Sequence, residues 1–212
     1  MTTFTEGRHA GEYLISEASG TRSRDVITLA TGNDLEAGTV LGRIRGAATS
    51  AAVGTNTGNG TMGTVTLGAG AMEGDYKVII VEPATDAGSF VVENPLGAVI
   101  GHGNVAAAFT GGGLSFTLAD GATNFVAGDT FKITVAAGTT YGQFDQDGTD
   151  GTEVAVAVLF DAVDATSADK PAVVHSRDCE VAASKLTWPS DIEAGEKATA
   201  LAQLAAAGII AR

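Results

Sequence analysis

The sequence predicts a mainly β protein, and three observations carry that prediction. Gly accounts for 29 of 212 residues and charged residues for only 17%, a balance that favours tight turns and small side chains over long helices. Short β-branched runs recur between Gly, Asn and Asp turns, the punctuation of strands. Two segments alternate strictly, Leu114-Ser115-Phe116-Thr117-Leu118 and Phe131-Lys132-Ile133-Thr134-Val135. Period 2 with one polar face belongs to an antiparallel sheet.

Residues 1–20 show no helical stripe, and one extended piece fits Glu12–Ser16; read alone, the stretch is a frayed terminus. Residues 24–30 form a β-branched run closed by the turn Thr31-Gly32-Asn33-Asp34, and a second strand starts at Thr39 after Gly38. These short strands with glycine turns are the grammar of a small barrel. Residues 47–63 are nearly all Ala, Thr, Gly, Asn and Ser, and read as a linker or the start of a new unit. Strands follow at Thr64–Leu67, Tyr76–Glu82, Ser89–Glu93, Ala98–Ile100, Leu114–Leu118 and Thr130–Val135. Phe90, Phe109, Phe116, Phe125 and Phe131, with Tyr76, Val78, Ile80 and Val91, supply one core. Roughly 90 residues in six or seven strands is the size of an immunoglobulin-like antiparallel β-sandwich.

After residue 138 the text changes again. Val154–Phe160 reads as a strand, followed by Ala172–Ser176 and Cys179–Val181. The C-terminal piece is the one convincing helix. Ser190 and Glu193 have capping-box spacing, and Ala194, Ala198, Leu201, Leu204 and Ala205 form a stripe at helical period. Gly208 suits the left-handed position that ends a helix, with Ile209 packing back on Leu204. A short extended tail follows.

The net charge is −13. Nucleic acid and anionic membrane are poor partners for such a surface, since both need clustered Lys and Arg; the charge serves solubility. The single cysteine, Cys179, excludes an internal disulfide and suits a reducing compartment. The first residues lack the basic and apolar regions of a signal peptide, and the longest apolar run is far short of the ~20 residues a spanning helix needs.

Chemistry-bearing patterns are sparse. His175 and Cys179 lie four residues apart, but no local signature supports a Cys–His nucleophile. The acidic loop Asp145-x-Asp147-Gly148-x-Asp150-x-x-Glu153 places its Gly and Glu at the wrong positions for a calcium loop, so Asp and Gly there are read as turn residues. Gly111-Gly112-Gly113 lacks the Lys and helix start of a phosphate loop, and no nucleophile elbow or paired-carboxylate arrangement can be argued. Trp188, the one Trp, is read as a core or barrel-rim residue. No catalytic residue, metal or cofactor is assigned, and a binding or structural protein is the better reading than an enzyme.

Read without the middle block, the two outer pieces resemble the lambda-type phage head decoration protein family. The matching text begins at Ile27-Thr28-Leu29-Ala30 and Leu35-x-Ala37-Gly38-Thr39-Val40-Leu41-Gly42-Arg43-Ile44. It resumes at Tyr141-x-x-Phe144, Asp150-Gly151-Thr152 and Val154–Leu159, then runs through Pro171–Val174, Arg177-Asp178-x-Glu180-Val181 and Leu186-Thr187-Trp188-Pro189. It closes on the helix and Gly208-Ile209-Ile210-x-Arg212. About 120 residues are covered. The resemblance implies a discontinuous decoration domain, 21–46 with 139–212, of small barrel-like (β-tulip) fold with a C-terminal helix. Residues 47–138 depart from the family's pattern as an inserted β-sandwich domain.

The resemblance further implies a homotrimer on the outer surface of the phage capsid, bound to the major capsid protein and holding the head against packaged-DNA pressure. Residues 1–20 then become a flexible capsid-binding arm. It would work by strand addition, with Phe4, Tyr13, Leu14 and Ile15 as contacts and Tyr13 and Ile15 pointing one way. The middle domain would project outward, to widen contact between trimers or to touch host surfaces or glycans; lateral contact or display without a defined ligand is favoured. Other classes stay open: a tail-tube or other virion structural protein, a β-sandwich adhesion or carbohydrate-binding module, and a hydrolase built on Cys179 and His175.

Overall fold

The computed structural model describes residues 6–54 and 56–212. The chain is mainly β and divides into two compact units, one running to Ile44 and again from Gly138 to Arg212, the other Arg45–Ala137. The first passage through the outer unit carries β1 (Leu14–Glu17), a helical turn α1 (Gly20–Ser23), β2 (Arg24–Leu29), β3 (Asn33–Leu35) and β4 (Val40–Ile44). The middle unit holds β5 (Ala48–Ala52), β6 (Thr61–Met62), β7 (Thr66–Leu67), β8 (Gly74–Ala84), β9 (Ala87–Glu93), β10 (Val99–Asn104), β11 (Ala108–Gly111), β12 (Leu114–Ala119) and β13 (Thr130–Val135). The outer unit resumes with β14 (Thr140–Gln143), β15 (Ala155–Leu159), β16 (Val163–Ala165), β17 (Lys170–His175) and β18 (Cys179–Val181), then helix α2 (Ala194–Ala206) and β19 (Ile209–Ala211).

In the outer unit β14, β2, β17, β15 and β4 close into a barrel. Every pairing is antiparallel except β14 with β2, the parallel seam. Leu29, Leu41, Ala157, Leu159, Ala172 and Val174 fill one core. Large residues alternate with alanines there because five strands enclose too little space for large side chains throughout. A three-stranded sheet, β1-β18-β19, and α2 bury a second core built on Tyr13, Val40, Phe144, Val158, Val181, Leu204 and Ile209.

Helix α2 starts later than the Ser190–Glu193 spacing predicts. Glu193 is the residue before the first turn, and the Glu196 carboxylate accepts its backbone N–H at 2.8 Å. The buried face is correspondingly rotated: Ala200 and Leu204 are buried, whereas Ala194, Ala198 and Ala205 are exposed. The other end is as expected. Gly208 sits at φ +86°, a conformation that costs a side chain ~1 kcal/mol or more, and Ile209 joins Leu204 in the core.

In the middle unit β10-β9-β8-β13-β5 form one antiparallel sheet, and β12 pairs with β11, β6 and β7 in the other. Their facing sides share a core that includes all five phenylalanines. The Phe90, Phe109 and Phe116 rings lie 5.1–6.0 Å apart, and each such ring buries enough apolar surface to contribute about 1.5–3 kcal/mol. Leu114, Phe116 and Leu118, and Phe131, Ile133 and Val135, are buried as their alternation requires. In β9 the residue facing this core beside Phe90 is Val92, not Val91, because Phe90 sets the phase and its neighbour takes the opposite face. Gly103 is glycine for lack of space: a Cβ there would meet the Phe90 ring at 2.3 Å. The stretch read as a linker or the start of a new unit contains β5, which pairs with β13 from Ala48↔Val135 to Ala52↔Phe131.

Candidate interaction surface and the cluster beneath it

The N-terminal segment holds the four residues expected to meet a partner. Phe4 lies outside the described residues. Tyr13 is buried, 1% exposed. Leu14 is half-buried against the core. Ile15 is 53% exposed. The expected shared face for Tyr13 and Ile15 is therefore corrected: Tyr13 turns inward and Ile15 outward, and the pairing of β1 with β18 shifts between Leu14 and Ser16, where a bulge re-aims side chains. β1 forms one edge of its sheet, so it leaves a row of backbone groups unpaired on its far side within that sheet.

The segment is fastened from Arg8 onward. The Arg8 guanidinium donates to the Lys185 carbonyl, and Gly11 N–H donates to the Phe160 carbonyl at 2.8 Å. Ala182 N–H donates to the Tyr13 carbonyl at 2.7 Å, and Lys185 Nζ pairs with Glu12 at 2.7 Å.

Beneath β1 lies a buried polar cluster centred on His175, whose side chain is fully buried. Its Nδ1 is 2.6 Å from Tyr13 Oη and its Nε2 is 2.9 Å from Glu17 Oε2. Glu17 also accepts from Arg24, through both guanidinium Nε and Nη2, and from Ser23 Oγ at 2.7 Å. The Arg24 guanidinium stacks 4.1 Å over the Phe160 ring, and that ring meets His175 edge-on at 5.7 Å. The Arg24 hydrogen bonds, aided by Ser23 and His175, hold the Glu17 carboxyl at about 2. Burial holds His175 below the usual imidazole range, against the pull of Glu17, since a buried site penalises the charged ring.

The same cluster bears on the pairing of His175 with Cys179. Tyr13 and Glu17 occupy both ring nitrogens, so the ring offers none to the thiol. Burial, with the Glu17 and Asp178 carboxylates, pushes the Cys179 thiol to about 11, the opposite of an activated nucleophile.

The acidic loop folds as a turn. Asp145 accepts the Asp147 N–H at 3.0 Å, and Asp150 accepts both the backbone and hydroxyl of Thr152. An open cleft of about 710 Å³ lies beside it in the outer unit, bordered by Asp145, Asp150, Asp191, Phe144 and Trp188. Trp188 is half-buried at its rim, edge-on to Phe144 at 6.0 Å, with Lys197 Nζ 5.5 Å from its ring centre. Among the described residues no His, Cys, Asp or Glu grouping has the form of a metal site. His9 and His102 are exposed.

Comparison with known proteins bears on what this surface serves. The family model for the bacteriophage lambda head decoration protein D matches residues 3–209. The chain belongs to that family. The family is one of structural proteins of the phage head, not of enzymes. No curated protein sequence matches the chain significantly. Among solved structures, FlgL from Xanthomonas campestris aligns at TM-score 0.34 and 20% identity over 48% of this chain and 34% of its own. The flagellar junction protein FlgL from Legionella pneumophila aligns at 0.35 and 16%, over 48% and 38%. The flagellar hook junction protein FlgK from Burkholderia pseudomallei aligns at 0.34 and 20%, over 61% and 23%. The chain thus spans between 23% and 38% of these proteins' own length, and likeness at this level carries no argument.

Glu17, Arg24 and Phe160 were not singled out from sequence. Their one visible signal is the local pair Glu17 and Arg24, seven residues apart across a helical turn; the contacts of His175 with Tyr13 and Glu17, and of Arg24 with Phe160, join positions more than 130 residues apart.

Proposed function

We propose that this chain is a capsid decoration, or cement, protein that binds the outside of the expanded phage head as a homotrimer. It holds neighbouring major capsid protein subunits together against the pressure of packaged DNA. The observation that carries this reading is the family match across residues 3–209. The strongly acidic composition suits a protein that faces solvent rather than packaged DNA. No chemistry is required: a ligand that binds only the assembled shell stabilises it by mass action, and three copies acting together raise avidity far above one.

Within this reading the N-terminal segment ahead of Tyr13 is the capsid-binding arm, Phe4 is one of its contacts, and Leu14 and Ile15 continue the contact along the open edge of β1. Tyr13 belongs instead to the arm's root. The middle unit is an insertion that serves lateral contact between trimers or display, with contact to a host surface as a further role. Expression in the host cytoplasm fits a chain with one buried thiol.

Thermal rupture of DNA-filled heads lacking decoration tests the load-bearing role. Adding the chain should raise the rupture temperature and saturate at a fixed copy number. Full occupancy with an unchanged rupture temperature would contradict it.

A further inference from the structure

The barrel's one buried histidine spends both ring nitrogens on the N-terminal segment. His175 stands on β17, yet Nδ1 meets Tyr13, the residue just before β1, and Nε2 meets Glu17, its last residue. Beyond these, Arg24 and Ser23 hold Glu17, Ser16 Oγ donates to Glu180 at 2.9 Å, and β1 is tied to β18 by three register pairs interrupted by a bulge. We infer that His175 is a proton-operated latch: while the ring is neutral it holds β1 on the barrel, and protonation favours release of β1 and the segment ahead of it.

The hydrogen-bond directions give the reason. In the neutral ring Nε2–H donates to the Glu17 carboxylate and Nδ1 accepts the Tyr13 hydroxyl proton, so every short contact is satisfied. A second proton goes on Nδ1 and faces the Tyr13 oxygen. Tyr13 must then turn its own hydrogen to the Val158 carbonyl, a longer contact at 3.3 Å. The docked imidazolium is cut off from water, its side chain being fully buried; Glu17 from β1 attracts it more than Arg24 from β2 repels it, but the burial cost outweighs the Glu17 pull. Cys179 on β18 stays a neutral thiol, and Tyr13 a neutral phenol, in this range. Release of β1 returns the ring to water, where it takes a proton at its ordinary value. The open form therefore binds the proton better, and by linkage acid favours the open form. Glu17, held at about 2, does not titrate between pH 7.5 and 5.5.

The latch is a property of the free chain and stands or falls independently of the decoration role. Backbone hydrogen exchange of the full-length protein, corrected for intrinsic rates, tests it between pH 7.5 and 5.5. Protection of residues 14–17 and 179–181 should fall by up to about tenfold, the limit set by the one unit between the ordinary imidazole value of about 6.5 and pH 5.5, while β2 and β15 keep theirs. His175→Gln should abolish the pH response. Unchanged wild-type protection across this range, or an equal response in His175→Gln, would overturn the latch. Should that variant not fold, the ¹⁵N resonances of the wild-type His175 ring decide: titration in step with loss of β1 protection supports the latch, and either change without the other overturns it.

Discussion

Glu17 shows how one side chain ties local charge to stability. Its carboxyl sits at about 2 in the folded chain against an ordinary 4.5. A depressed carboxylate contributes stability that is fully present above its unfolded value and is lost as pH falls from 4.5 toward 2. The urea midpoint should therefore drop over that window, and Glu17→Gln should flatten that part of the profile while lowering stability at pH 7. Cys179 makes the complementary case: its thiol is raised to about 11 from 9, so an aromatic disulfide reagent at pH 8 should label it orders of magnitude more slowly in native protein than in urea. Tyr13 marks where residue-level reading stops. Its neighbours Gly7, Gly11 and Ser16 make the segment look like a loose terminus, and the reason it is buried, His175, lies 162 residues away. Nothing in a local window announces that contact, whereas the phenylalanines of the middle unit, large and apolar within alternating strands, declare their burial outright.

At the scale of elements, strands with large residues on one face were legible and strands of small residues were not. β12 and β13 follow from their alternation. β5, Ala48–Ala52, has no apolar period to read, because Ala, Thr and Ser fit a sheet or a loop equally well; only its five pairings with β13 make it a strand. β14 is similar, four residues fixed by register with β4 and β2. Helix α2 was legible in kind but not in phase, since Glu196 rather than Glu193 closes the box and alanine tolerates either face. Two substitutions test the helix account by urea denaturation. Leu204→Ala, at a fully buried position, should cost about 2–5 kcal/mol. Gly208→Ala, forced to φ +86°, should cost about 1 kcal/mol or more.

For the whole molecule, the junction of the two units is the telling feature. The chain leaves the outer unit after Ile44 and returns at Gly138, and Ile44 then pairs directly with Thr140 across β4 and β14. A short hairpin turn spans such a gap. Replacing residues 46–137 by a two- to four-residue turn containing Asn-Gly should thus yield a folded outer unit that melts cooperatively. Loss of cooperative melting would show that the barrel depends on the middle unit. The latter's two sheets enclose their own core.

The central claim, that this chain decorates a phage head, is tested most directly by co-sedimentation with expanded shells that lack decoration. Full-length protein should pellet with the shells and saturate at a fixed stoichiometry. A version lacking residues 2–10, which spares the buried root at Tyr13, should keep its fold and lose most of that binding. Full-length protein that stays in the supernatant at every concentration would contradict the claim.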